Sequence, residues 1–283
     1  MIIDTETCVG CWQCIRYCPF GAIKQGDDVV SVDLEDCLEC GVCLRSGVCR
    51  VDAFYMQELS WPRVIRAAFS GGSIGLLGTF GSAARASVSG TLKEQPNTSI
   101  SDVARARKLS LPRRGMKEAL EGQLLGGGRG TSEMKTNDMT GRFGYGEVGV
   151  AAELGRPGIG FYFWELEKVA MAFAEHGAQF EPENPVTMFL DTETGRIKEE
   201  YEEIKQEKGR SAIIESLFPM HKIVEVFHAL QEVGKEVNTV FTVNIISRCE
   251  DGTIPVMPIL DEAGIKVRIN GKTNMGMGRP LAE

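Results

Sequence analysis

The sequence predicts an α+β protein in three parts: a small cysteine-rich domain over residues 1–56, a long glycine-rich basic segment over 57–144, and an α+β sandwich with a C-terminal arm over 145–283. Three observations predict it. Eight of the nine cysteines fall between residues 8 and 49. The middle of the chain is rich in glycine and serine and poor in aromatic residues. Beyond Tyr145, runs with strand periodicity alternate with runs of helix periodicity.

A chain of 283 residues with 43% hydrophobic content can build one large or two ordinary cores. Met1–Thr7 lacks a basic stretch followed by an apolar run, so no signal peptide is expected. No membrane span is expected either. The nearest approach to one, Ala67–Ala86, is broken by Gly, Ser and Arg85. The expected compartment is therefore the cytoplasm, where disulfides are rare and crowded cysteines favour metal binding.

The net charge of −8 is unevenly spread. Residues 1–54 hold four basic and nine acidic side chains, residues 55–150 hold thirteen and eight, and residues 151–283 hold fourteen and twenty-two. A modestly basic middle without a recognisable motif gives no nucleic-acid partner. It suits packing against the chain's own acidic ends, or docking of a partner or an anionic ligand.

The cysteines are spaced Cys8-x2-Cys11-x2-Cys14-x3-Cys18-Pro19 and Cys37-x2-Cys40-x2-Cys43-x5-Cys49. Zinc usually takes two CxxC pairs, which the triplets fit poorly. Three thiolates at x2 spacing wrap one corner of an iron–sulfur cubane. This pattern resembles bacterial-type ferredoxins with two [4Fe-4S] clusters. The first motif matches fully, including Phe20-Gly21-Ala22-Ile23. The second departs twice, with five residues before Cys49 and Arg50 in place of proline. Cys49-Arg50-Val51-Asp52-Ala53-Phe54 nevertheless echoes Cys18-Pro19-Phe20-Gly21-Ala22-Ile23, an internal repeat. In such ferredoxins the fourth cysteine of each motif ligates the other cluster. The resemblance thus implies one cluster on Cys8, Cys11, Cys14 and Cys49, and a second on Cys37, Cys40, Cys43 and Cys18. With every iron held by cysteine, such sites move single electrons and bind no substrate.

The segment 55–145 reads as loose, with helices expected over Ser101–Lys108 and Gly115–Leu125. A glycine-rich stretch of that length is expected to wrap another domain or subunit. Farther on, Glu147–Glu153 reads as a strand and Trp164–His176 as a helix burying Leu166, Val169, Ala170 and Phe173, with Gly177 as its stop. Val186–Leu190 reads as a strand and Asp191–Gly195 as a turn. Then come a strand over Ser211–Phe218, a helix over Met220–Gly234 burying Ile223, Phe227 and Leu230, and a strand over Asn238–Ser247. The order is βαββαβ, the split arrangement also found in ferredoxin-like and ACT-like sandwiches. A fold of that kind licenses no activity by itself.

Six basic residues are candidate anion or ligand contacts: Arg129, Lys135, Arg142, Arg156, Lys272 and Arg279. Arg156 lies in Gly155-Arg156-Pro157-Gly158-Ile159-Gly160, which reads either as an anion loop before a helix or as a tight turn. Lys272 and Arg279 lie in a tail without Walker or Rossmann spacing, which reads as an arm docked on the sandwich. The run Arg129–Arg142 is similar to segments of 6-hydroxynicotinate reductase, an anaerobic ring-reducing iron–sulfur flavoenzyme. The likeness covers residues 128–283, carries no catalytic role across, and implies anaerobic reduction of a heterocycle or similar organic substrate. Among lone residues, His176 is expected at a helix end, His221 and His228 on one helix face, Cys249 as a buried or semi-buried free thiol, and Trp12 as a shield for the first cysteine loop.

The expected function is electron relay through two [4Fe-4S] clusters to a partner oxidoreductase in anaerobic metabolism. A flavoprotein subunit is the expected partner, because this chain has no GxGxxG flavin motif. A self-contained reductase of a small organic substrate and a redox-sensing or ligand-regulated module are the rival readings, with no catalytic residue assignable. Association into a homo-oligomer stays open.

Overall fold

The computed structural model describes residues 1–55, 60–70, 142–156 and 159–268. The expected helices over 101–108 and 115–125 lie outside them. The chain divides into two compact units, Met1–Gly128 with Glu207–Arg210, and Arg129–Gln206 with Ser211–Glu283.

In the first unit, β1 (Ile2–Ile3) pairs antiparallel with β4 (Phe54–Tyr55), and β2 (Ile23–Gln25) with β3 (Val30–Val32). Strands this short bury little on their own. The core they frame includes Ile3, Ile23, Val30 and Phe54, and two of the cysteines, Cys14 and Cys37, are buried members of it. A short helix, α1 (Val42–Arg45), carries Cys43, the last cysteine of the second triplet.

A second helix, α2 (Trp61–Ala68), stands at the start of the stretch that reads as loose. Ser60 in extended backbone precedes it, and Pro62 occupies its first turn, where the missing N–H costs nothing. Ile65 and Ala67 are fully buried. Composition alone hides this helix, because one short amphipathic octet sits beside a long glycine-rich run. The segment Glu207–Arg210 belongs to the same unit: Glu207 accepts from Arg66 Nε at 2.5 Å, and the Arg210 amide donates to the Phe69 carbonyl at 3.2 Å.

The second unit is built on a four-stranded antiparallel sheet. Its strands are β5 (Glu147–Leu154), β6 (Gln179–Phe180), β7 (Ala212–Pro219) and β8 (Phe241–Ser247), ordered β8-β5-β7-β6. Numbered by sequence among themselves, the strands lie 4-1-3-2. Helix α3 (Phe163–Glu175) connects the first to the second, and α4 (Ile223–Val233) the third to the fourth. Alternation assigns the faces. Val148, Val150, Ala152 and Leu154 are fully buried beneath the helices, and Phe173 of α3 meets Phe218 of β7 edge-on at 5.3 Å. Ala151, Ile213 and Leu217 point to the other face, where Phe143 covers them. Gly149 is required there, since a Cβ would lie 2.4 Å from the Phe143 ring.

The second strand is Gln179–Phe180, so the expectation of a strand over Val186–Leu190 is corrected. Thr187–Phe189 forms a 3₁₀ turn instead. The reason is local: Asn184 Oδ1 accepts the Val186 amide at 2.8 Å, which closes a turn before an extended run can start. Val186, Phe189 and Leu190 of that run are still buried, so an apolar run there imitates a strand. The Asp191–Gly195 turn is present, with Asp191 accepting the Glu193 and Thr194 amides at 2.9 and 3.0 Å. The helix expected over Met220–Gly234 opens with a 3₁₀ turn, Met220–Lys222, and Phe227 is only half-buried.

Gly195 has a left-handed φ of 72°, and a Cβ there would lie 2.3 Å from the Ala170 carbonyl oxygen. Helix backbone cannot yield to it. Gly195→Ala is expected to destabilise this unit by about 2–4 kcal/mol, combining left-handed strain with overpacking. Faster hydrogen exchange across α3 would report it, and unchanged exchange would contradict it.

Candidate metal centre

The two cysteine motifs are embedded in duplicated backbone geometry. Asp4 N donates to Ala53 O and Asp33 N to Ala22 O, both at 2.8 Å. Cys8 N donates to Asp4 O at 3.0 Å, and Cys37 N to Asp33 O at 2.9 Å. Each aspartate side chain then caps the approach to its loop: Asp4 accepts the Glu6 amide, and Asp33 the Glu35 amide. Left-handed residues recur in pairs as well, Gly10 with Glu39, Trp12 with Gly41, and Gly21 with Asp52. Finally, Ala22 N donates to Cys18 Sγ and Ala53 N to Cys49 Sγ, each at 3.2 Å. The repeat therefore survives the longer Cys43–Cys49 spacing, which Gly47 (φ 61°) helps accommodate.

The duplication brings the cysteines into two quartets. Burial pushes the Cys14 thiol up, and the thiols of Cys11, Cys49 and Cys8 add to the rise. Burial pushes Cys43 up to about 12, and its other thiol neighbours are Cys40, Cys37 and Cys18. Cys37 is pushed up to about 11 by burial, with the Glu39 carboxylate adding to it and Arg63 opposing. Each fourth cysteine thus lies with the opposite triplet. Cys18, Cys37, Cys40 and Cys43 line one cavity with Ile23 and Val32, whose empty space, open mouth included, is about 370 Å³. Cys11 is exposed, whereas Cys14 and Cys37 are buried.

The donor set fits a cubane. Such a cluster has irons at separate corners, one thiolate to each, so its ligands are spread. Among the described residues no three His, Cys, Asp or Glu side chains close on a single ion. The amides on Cys18 and Cys49 Sγ suit sulfurs that carry negative charge once metal-bound.

The second quartet carries groups that spacing did not single out. Glu39 sits between Cys37 and Cys40 with its carboxylate buried and φ 55°. It is paired with Arg63 of α2, and it accepts from the Met1 amino group at 2.5 Å. Burial alone would raise its carboxyl, but the amino group and Arg63 outweigh that and hold it below the usual range. Arg63 also donates to Leu34 O at 2.8 Å. Arg66 Nη1 donates to the carbonyls of Leu34, Glu35 and Cys37, each at 3.1 Å. Overlaying the halves was the available signal: where the first motif has Gly10, the second has a charged side chain.

Of the six basic candidates, Arg129, Lys135, Lys272 and Arg279 lie outside the described residues. Arg142 is ion-paired with buried Glu181. Arg156 donates to Ser211 Oγ at 2.7 Å and to Glu153 at 2.5 Å. Gly160 N donates to Gly155 O at 3.0 Å across its loop, and both glycines are left-handed. His176 caps α3 with Nδ1 2.8 Å from Ala172 O, and His221 and His228 are exposed. Cys249 is exposed, which corrects the expectation of a buried or semi-buried thiol. Trp12 is half-buried against the first core.

A duplicated fold holding two thiol quartets around a shared core defines a cysteine-ligated iron–sulfur carrier. The family described as a 4Fe-4S binding domain matches residues 1–24. The chain is 36% identical to a protein named Ferredoxin 7Fe from Hydrogenibacillus schlegelii, over 58 residues that make up 20% of this chain and 72% of that one. It is equally similar, over the same shares, to a Ferredoxin from Alicyclobacillus acidocaldarius subsp. acidocaldarius. Over this N-terminal stretch the chain belongs to the ferredoxin family, and it binds a 4Fe-4S cluster. No solved structure matches the chain. Among the described residues, no helix is long and apolar enough to cross a membrane.

Proposed function

We propose that the chain is an electron-transfer protein or subunit with two [4Fe-4S] clusters, one on Cys8, Cys11, Cys14 and Cys49 and one on Cys37, Cys40, Cys43 and Cys18. The observation that carries this reading is the crossed grouping of the thiols, Cys49 with the first triplet and Cys18 with the second. When bound, such clusters take up and release single electrons. The chain's own residues do the rest. Backbone amides donate to Cys18 and Cys49, the core framed by the two short strand pairs shields the inner thiols, and exposed Cys11 gives the first quartet an edge to solvent. The acceptor is a partner oxidoreductase of anaerobic metabolism, a flavoprotein subunit by preference, and the setting is cytoplasmic. The 4-1-3-2 sheet of the second unit supports reading it as a ferredoxin-like or ACT-like sandwich, which serves for docking or ligand binding.

The test is anaerobic purification from the native host with intact complexes, followed by iron, sulfide and flavin analysis. About eight irons per chain with a co-eluting flavoprotein are expected. A lone chain with that iron content, reoxidised after reduction by a small organic substrate, would instead establish a self-contained reductase.

A further inference from the structure

The two halves of the ferredoxin unit repeat in backbone but not in charge. Gly10 and Glu39 hold equivalent left-handed positions. A Cβ at Gly10 would lie 2.2 Å from the Asp28 carbonyl oxygen, so no side chain fits there. Glu39 instead carries a fully buried carboxylate on the loop between Cys37 and Cys40, close enough for its charge to act on the Cys37 thiol. It has two counter-charges, the buried Met1 amino group and Arg63; the arginine comes from α2, a helix outside the cysteine repeat, and its side chain is only 17% exposed. A buried ion pair acts in a low dielectric, where salt and water screen it least.

We propose that the Glu39–Arg63 ion pair sets the reduction potential of the second quartet's cluster independently of the first, the carboxylate lowering it and the guanidinium raising it. This rests on the two-cluster reading above. An electron added to a thiolate-ligated centre increases its negative charge. A carboxylate beside the thiolates opposes that addition, and a guanidinium beside the carboxylate favours it. Arg66 plays a positioning part, because its three carbonyl contacts pin the backbone leading into Cys37 and keep Glu39 against Arg63.

The experiment is a redox titration of the intact chain, followed by electron paramagnetic resonance, with iron counted in every sample. Glu39→Gln is expected to raise one midpoint and Arg63→Gln to lower that same midpoint. Each change should be about tenfold in the reduction equilibrium, or about 59 mV for one electron. The double variant should return near the starting value, the other midpoint should stay in place, and Arg63→Lys, which keeps the charge, should resemble the wild type. A merely structural role would move both single variants in the same direction. That result overturns the proposal, as does movement of both midpoints together or of neither at full iron content. About four irons in the wild-type chain would instead remove the two-cluster reading on which it rests.

Discussion

Cys18→Ala is expected to halve the iron, from about eight to about four atoms per chain, and to remove the second quartet's cluster although Cys18 lies in the first motif. The cavity that Cys18 lines is the one lined by Cys37, Cys40 and Cys43, and the amide of Ala22 fixes its sulfur there at 3.2 Å. Cys49→Ala is expected to give the mirror result. Alanine is the choice because a serine oxygen can still ligate iron. Iron alone cannot distinguish the two variants, but Glu39→Gln can. The signal that survives in Cys49→Ala should shift when Glu39 is changed, and the signal that survives in Cys18→Ala should not. The reverse pattern would mean that each motif holds its own fourth cysteine, and the ligand sets proposed here would be wrong.

The ferredoxin unit was legible because its chemistry is written in spacing. The eight thiols and the repeat follow from cysteine positions, and the crossed partners are what the resemblance to two-cluster ferredoxins implies. What spacing could not show was the asymmetry between the halves. Glu39 reads as an ordinary acidic residue until its backbone is seen to match Gly10, and Arg63 and Arg66 lie in a stretch whose composition points to a loop. Both arginines act through carbonyls and a carboxylate some 24 to 32 residues earlier in the chain, a relation that no local pattern encodes. In the second unit, the long strands and the two helices that connect them were visible as hydrophobic periods, whereas a third, short helix over Val256–Glu262 was not. The second strand was misplaced because Gln179–Phe180 is too short to show a period, whereas the buried 3₁₀ turn at Thr187–Phe189 sits in an apolar run that resembles one. Gly195 gave no sign of its close approach to α3, since the helix backbone it meets belongs to residues 170 and 171.

Stripping the iron from the intact chain with a chelator is expected to unfold the ferredoxin unit while leaving the second unit folded. The first unit's strands are two or three residues long, and its core counts Cys14 and Cys37 among its buried members, with Cys8, Cys18, Cys43 and Cys49 packed against it. Without metal, burial pushes the Cys37 and Cys43 thiols up to about 11 and 12, so they stay protonated at neutral pH in an interior that holds thiolates once iron is bound. A domain near 55 residues buries too little apolar surface to stand without a staple, so metal binding free energy becomes folding free energy. The second unit has no such dependence: its central pair of strands runs to eight residues each, and Phe163, Phe173 and Phe218 are fully buried with no cysteine among them. Hydrogen exchange before and after chelation separates the cases. Loss of protection over residues 1–55, with β5 and β7 unchanged, is the expected result. Persistent protection around Cys14 and Cys37 would show a preformed scaffold that the apolar residues alone can hold, and the metal would then be a passenger on the fold rather than part of what closes it.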